Sequence, residues 1–158
     1  MRPASAPTGE LPYVDLLALS TLTLATCGLD GEPHAAAVYF AANLPLAPGI
    51  APQLYFFSDP DSQHSQDVSA NPQAAATCYP ECQGWQDIRG LQMRGRVRLV
   101  APGAEWEAAW ACYTAKFPFV KTLKAIVARN ALYAFIPHWL RLVDNRRGFG
   151  FKQEWTFP

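Results

Sequence analysis

Alternation of apolar and polar residues dominates this chain, and it predicts strands before anything else. TLTLATC (21–27) is β-branched and alternating, Asp30-Gly31 occupies the favoured hairpin position, and HAAAVYFAA (34–42) makes the return strand. The loop NLPLAPGIAPQ follows, its closely spaced prolines forbidding regular structure, and LYFFS (54–58) then reads as a third strand. AAATCY (74–79) is a fourth. In QDIRGLQMRGRVRLV, Leu91, Met93, Val97 and Leu99 alternate with Gln92, Arg94, Arg96 and Arg98, but the phase slips at Gly95. Such a slip predicts a long, bulged and strongly curved strand of the kind a small barrel needs. ALYAFIPHWLRLVDN and GFGFKQEWTF supply the last strands.

Helical spacing fills the gaps between them. Tyr13, Leu16, Leu17 and Ser20 predict a short N-terminal helix over 12–20. Asp61-Ser62 opens a second that reaches Ser69, where Asn71-Pro72 stops it because proline disfavours helix in the residue before it. Trp106, Ala109, Trp110 and Tyr113 mark an amphipathic helix over 105–116, and Phe117-Pro118 breaks it before the helical stretch FVKTLKAIVARN. The count is six to seven antiparallel strands with inserted helices: a mainly β barrel, one domain over 1–158, with residues 1–9 as a flexible tail.

Composition narrows the function classes. With 158 residues, half of them apolar, one real core is affordable. Thirteen basic and thirteen acidic side chains cancel, so no large single-sign field recruits nucleic acid or an anionic membrane, and any anionic ligand must be met by local groups. Cys27, Cys78, Cys82 and Cys112 lie in apolar surroundings that suit reduced thiols, and no partner set completes a zinc site for Cys78 and Cys82. LLALSTLTLATC is preceded by Glu10 and Asp15 where a secretion signal carries positive charge, so a cytoplasmic protein is expected.

The segment with the most chemistry is QLYFFSDPDSQHSQDVSANPQAAATCY (53–79), where an apolar strand runs into a polar turn and a short helix. Ser58, Ser62, Gln63 and His64 meet a helix N-terminus there, the arrangement a phosphate site requires. GEPHAAAVYFA, YFFSDPDSQHSQDVSANP and the LQMRG segment together resemble the flavin-mononucleotide-binding split barrel of the pyridoxamine 5′-phosphate oxidase superfamily. IRGLQMRGRVRLV and VDNRRGFGFKQEW resemble a small, poorly characterised bacterial branch of it. The resemblance implies a PNPOx-like split β-barrel, FMN as cofactor, a homodimer with the cofactor at the subunit interface, and a flavin-dependent oxidoreductase using a small-molecule substrate or nicotinamide donor. It implies that Ala36, Ala37, Val38 and Tyr39 run along the ring edge, that Ser58, Ser62, Gln63 and His64 hold the phosphate, with Phe57 also cofactor-binding, and that Gln92 contacts the flavin. Trp85 and Arg94 are further candidates, the first for stacking across a subunit boundary, the second for charge.

The departures from the family pattern are specific. Ala36, Ala41, Gln63 and His64 stand where the oxidases place basic residues for the phosphate, and Arg94, Arg146 and Arg147 are the candidates to compensate. The oxidases' substrate-phosphate set has no counterpart, so oxidation of pyridoxamine phosphate itself is not expected. Each candidate also has a plain structural reading. The alanines of HAAAV suit a crowded interior, Ser58 and Ser62 suit a turn and a helix cap, His64 and Gln92 suit a solvated face, and Trp85 can cover the barrel mouth. His34 and His138 read as structural. Trp106, Trp110, Phe117 and Phe119 read as core or dimer interface, and an aromatic content of 13% favours a covered surface. The rival functions are a binding or sensor module that has lost the flavin, a haem-binding split barrel using His34, His64 or His138, and a deazaflavin in place of FMN.

Overall fold

Every alternating stretch pairs with another. The computed structural model describes residues 11–158, so the N-terminal tail lies outside the described residues. Thr21–Cys27 (β1) and Pro33–Tyr39 (β2) form a hairpin, followed by Ala41–Ala42 (β3), Leu54–Ser58 (β4), helix Gln63–Ala70 (α1) and Gln73–Cys78 (β5). Arg89–Leu99 (β6) leads to helix Ala104–Lys116 (α2), the single turn Lys124–Val127 (α3), Ala131–Asp144 (β7) and Lys152–Thr156 (β8). The eight strands among the described residues join one antiparallel sheet in the order β2-β1-β5-β6-β7-β4-β3, with β8 pairing on β7.

The strand predicted over 34–42 breaks at Phe40, and that break makes the barrel. Phe40 has a fully buried ring and an amide that donates to the Ser20 carbonyl at 3.1 Å. That one residue carries the chain from β2, at one edge of the sheet, to β3 at the other. The edges are therefore tied at Phe40 but share no ladder between β2 and β4, which leaves the barrel split along that seam.

Inward positions of the strands build the core. Leu22, Leu24, Leu54, Phe56, Leu91, Met93, Val97, Phe135, Leu140 and Leu142 are each no more than 2% exposed, and full burial stabilises by about 1.5–3 kcal/mol per side chain of this size. The phase slip at Gly95 is a bulge: Arg94 pairs with Trp139, but Gly95 pairs with Pro137. A Cβ at Gly95 would lie 2.2 Å from the Ile136 carbonyl oxygen, so only glycine permits the approach of β6 to β7.

The predicted N-terminal helix is a 3-10 turn, Val14–Ala18, whose Tyr13, Leu16 and Leu17 plug one end of the barrel. Its terminal carbonyls are held from outside: Lys116 Nζ donates to Leu17 O at 3.2 Å and Leu19 O at 2.6 Å, and sits 4.1 Å over the Phe40 ring. Desolvation lowers the Lys116 pKa to about 8. The stretch 119–130 yields only a 3-10 turn, Pro118–Thr122, and the short α3, because Leu123 and Ile126 stay exposed and no packed face supports a longer helix. No helix among the described residues is long and apolar enough to cross a membrane.

Candidate functional site

Helix α1 packs on β1 and β2 beside the seam where β2 and β4 part. Ser58 ends β4, and the turn that follows is tied by Asp61 N donating to Asp59 Oδ1 at 2.9 Å and Ser62 N donating to Asp59 O at 3.0 Å. Ser62 takes the N-cap position, yet its hydroxyl caps no amide of α1. It joins a side-chain cluster instead. Ser58 Oγ lies 2.6 Å from His64 Nε2 and 3.1 Å from Ser62 Oγ, Ser62 donates to Ser65 at 2.8 Å, and Ser65 donates to Ser58 at 3.3 Å. The amides of the first helical turn, which have no intrahelical acceptor, are left without a side-chain partner.

A second layer fixes α1 to the hairpin. Asp67 accepts from the Thr26 hydroxyl at 2.7 Å and from Gln63 Nε2 at 2.8 Å, while Asn71 Nδ2 donates to the Cys27 carbonyl at 3.0 Å. The Thr26 hydrogen bond first, then that of Gln63, holds the Asp67 carboxyl below its usual range. Gln63 is thereby turned toward Asp67 and away from the hydroxyls. His34 of β2 lies against His64, the rings parallel within 5° and their centroids 6.2 Å apart. Burial, reinforced by His34, pushes His64 below 6.5, and Asp67 opposes only in part. Both Asp67 oxygens are engaged by Thr26 and Gln63, so the Ser58–His64 contact lacks the oriented carboxylate of a hydrolytic triad. Among the described residues no group of three or more His, Cys, Asp or Glu side chains could hold a metal ion.

Several predicted residues stand elsewhere. Phe57 points to the opposite face of β4 from Ser58 and packs edge-on against Trp106, Trp110 and Tyr113 at 6.4, 5.8 and 5.1 Å, so its ring does not join the hydroxyl cluster. That aromatic layer continues through Phe117 to Tyr39 and Phe119, which remain 53% and 52% exposed beside the seam. Ala36, Ala37, Val38 and Tyr39 lie on β2, whose second edge has no strand partner among the described residues. Gln92 and Arg94 project from the outer face of β6. Gln92 accepts from Arg141 at 3.4 Å, and the Arg94 guanidinium lies 4.2 Å over Trp139 without an ion pair among the described residues. With Thr23, Ala25, Ala75 and Thr77 they line a shallow groove of about 280 Å³.

Strands β5 and β1 stand between Arg94 and β2; Arg94 shares a groove of about 510 Å³ with Thr26, Cys27, Asn71 and His138 on the outer side of this corner, and among the described residues it makes no hydrogen bond or ion pair with the hydroxyl cluster. Trp85 is farther still. It sits edge-on to Phe149 at 5.6 Å at the far end of the β5–β6 ladder, whose pairs run from Cys78↔Leu91 to Gln73↔Arg96, roughly 17 Å from the α1 end at about 3.3 Å per residue. Arg146 is engaged by Asp144 at 2.8 Å and Arg147 lies over Phe151 at 4.5 Å, both at Trp85's end. Sequence reasoning missed Thr26, Ser65 and Asp67, and it placed His34 as structural or as a haem ligand, not beside the hydroxyls. The hairpin register that sets Thr26 opposite His34 was readable, but nothing local indicates that α1 folds back onto that pair.

Residues 14–143 match the family described as "Pyridoxamine 5'-phosphate oxidase". The chain belongs to this family. Its split barrel and the antiparallel order above agree with that assignment, and the poorly characterised branch is borne out by its relatives. A UPF0306 protein of Yersinia pseudotuberculosis is 29% identical over 103 residues, covering 65% of this chain and 66% of its own length. Among solved structures, the conserved hypothetical protein Rv2991 of Mycobacterium tuberculosis superposes with a TM-score of 0.71 at 16% identity, covering 93% of this chain and 92% of that one. A heme binding protein of Mycobacterium smegmatis gives a TM-score of 0.67 at 20% identity, covering 92% of this chain and 59% of that one. At these identities the two structures share the fold.

Proposed function

We propose that this member of the pyridoxamine 5′-phosphate oxidase family binds flavin mononucleotide at a homodimer interface and acts as a flavin-dependent oxidoreductase on a small molecule. The observation that carries the reading is the hydroxyl and imidazole cluster at the start of α1, placed where β2 and β4 part. The donor set fits a phosphoryl group: Ser58, Ser62 and Ser65 present hydroxyls, His64 a ring nitrogen, and the first turn of α1 unpaired amides. Ala36 to Tyr39 offer a strand edge for the flat ring, and the exposed Ala35 and Ala37 allow close approach. A bound flavin supplies the electron transfer; the protein holds it, orients it and leaves a face open to a nicotinamide or small organic donor.

A second copy completes the reading. The outer sheet face carries Thr23, Ala25, Ala35, Ala37, Ala75 and Thr77, with no bulky side chain among them. A two-fold pairing through that face would bring Gln92, Arg94 and Trp85 of one protomer toward the seam of its partner. The test is direct. Purified protein is examined for flavin absorbance before and after adding FMN, with the deazaflavin as a parallel arm. A colourless protein that ignores both overturns the proposal, and absence of turnover with either nicotinamide cofactor leaves a binding or sensor module.

One observation favours a haem reading beside it: His34 and His64 face each other at the seam, and the M. smegmatis neighbour is described as a heme binding protein. His64 would first have to release Ser58, to which its Nε2 is bonded at 2.6 Å. A Soret band on haem titration that disappears when His34 and His64 are replaced supports this alternative, and one that survives replacement of all three histidines removes it.

A further inference from the structure

The cluster at α1 has a charge problem that the flavin reading does not resolve. We propose that His34 and His64 together form a titratable clamp that supplies the positive charge for a phosphomonoester, so that binding takes up a proton from solution. The inference rests on the reading that a phosphoryl group enters this corner, and it identifies what stands in for the family's basic residues.

Four carboxylates lie in or beside this corner. Asp67 comes from α1, 2.7 Å from the Thr26 hydroxyl. Asp30, from the turn between β1 and β2, shares its neighbourhood, since a Cβ at Gly28 would lie 3.1 Å from Asp67 Oδ1 and 3.2 Å from Asp30 Oδ1. Asp59 and Asp61 occupy the turn into α1. Among the described residues no lysine or arginine ion-pairs with any of these four: the ion pairs found there are Arg89–Asp15, Arg98–Glu105, Arg141–Glu154 and Arg146–Asp144. With both imidazoles neutral, the corner is anionic or neutral, and a phosphate dianion entering it meets repulsion. Among the described residues, the groups beside the cluster that can become cationic are the two rings, while Arg94 shares a groove with Thr26 and Asn71 but makes no hydrogen bond to the cluster.

Geometry lets both rings act. His34 lies opposite Thr26 in the β1–β2 register and its ring is parallel to that of His64 at 6.2 Å, so an anion beside the hydroxyls sits within the field of both. His64 is anchored to Ser58 through Nε2, which orients its ring toward the hydroxyl cluster. Burial first, then the neighbouring ring, lowers the His64 pKa, so the free site disfavours the imidazolium; an entering dianion opposes that preference. The step balances without breaking a covalent bond. One proton from solvent adds to the ring nitrogen that carries no hydrogen, and the phosphoryl oxygens accept hydrogen bonds from the imidazolium and the serines.

The test uses the full protein and inorganic phosphate, with FMN as a separate arm. Histidine ring resonances are followed by NMR across pH with and without phosphate, His138 serving as internal control. The His64 midpoint is expected to rise by about one unit on binding. Phosphate affinity should fall by up to about tenfold per pH unit above that midpoint. In His34→Gln the pH dependence should flatten while the thermal midpoint stays near wild type. Histidine midpoints unmoved by phosphate overturn the inference. Shifted histidines in a protein that ignores FMN sustain it and sink the flavin reading; FMN bound with pH-independent affinity does the reverse.

Discussion

Replacing Gly95 with alanine tests the link between sequence pattern and barrel most sharply. The added Cβ would stand 2.2 Å from Ile136 O, 2.7 Å from Pro137 Cα and 2.8 Å from Ile136 C. Comfortable carbon–oxygen contacts begin near ~3.3 Å, so the overlap is about 1 Å. Every atom struck is backbone, and no side-chain rotation relieves it. β6 and β7 must separate at the bulge, within the longest ladder of the sheet, Arg89↔Asp144 to Leu99↔Tyr133. Overpacking costs about 1–3 kcal/mol, and each ladder hydrogen bond weakened adds about 0.5–1.5 kcal/mol. A loss near 3 kcal/mol corresponds to a fall in Tm of roughly 6–12 °C for a domain of this size. Urea titration with an unchanged slope, alongside a thermal melt, measures it. A loss under about 0.5 kcal/mol with an unchanged far-UV spectrum would refute the close approach.

Three further outcomes are expected. The lowered Lys116 pKa means the unfolded chain holds more protons between about pH 8 and the ordinary value of 10.5, so stability should rise with pH through that window and be fully penalised below it. Lys116→Met should abolish that rise, a difference of about 1 kcal/mol once half-burial is discounted, seen in denaturation series from pH 7 to 10. Asp144 is 3% exposed and accepts from the Arg146 side chain at 2.9 and 2.8 Å; Asp144→Ala should cost about 1–3 kcal/mol at pH 7. Because the Arg146 hydrogen bond lowers the Asp144 pKa, that cost should fade as pH falls through the folded value, which acid titration of both proteins checks. Ala25→Arg, on the exposed outer face beside Arg94, should leave the fold intact but convert the proposed dimer to monomer in sedimentation velocity.

The strands were legible because their alternation follows burial: Leu22 and Leu24, or Leu91 and Met93, face inward with polar or small residues between them. The bulge announced itself at Gly95, where alternation slipped. Phe40 did not, since an aromatic inside an apolar run continues the pattern while the backbone switches sheet edges there. The eighth strand arises from that break. The helical stretch after Phe117 overstated itself because its apolar spacing has no core to meet. At the site, Ser58, Ser62 and His64 were readable from one continuous segment, and the structure brings them together. His34 was assigned a structural part because its partner lies 30 residues away across the α1 fold-back, a contact that no local pattern carries. Trp85 was a candidate for stacking across a subunit boundary and Arg94 for supplying charge; within one protomer Trp85 packs on Phe149 and Arg94 over Trp139.

The central claim is that the α1 corner recognises a phosphoryl group carried by a flavin. Parallel equilibrium titrations of FMN and riboflavin, read by quenching of flavin fluorescence, test it most directly. The account predicts that FMN binds at least about tenfold more tightly, since hydrogen bonds to a charged group contribute about 1.5–3 kcal/mol each, and that Ser58→Ala narrows the gap by weakening FMN alone. Equal affinity for the two, or quenching of neither, contradicts it.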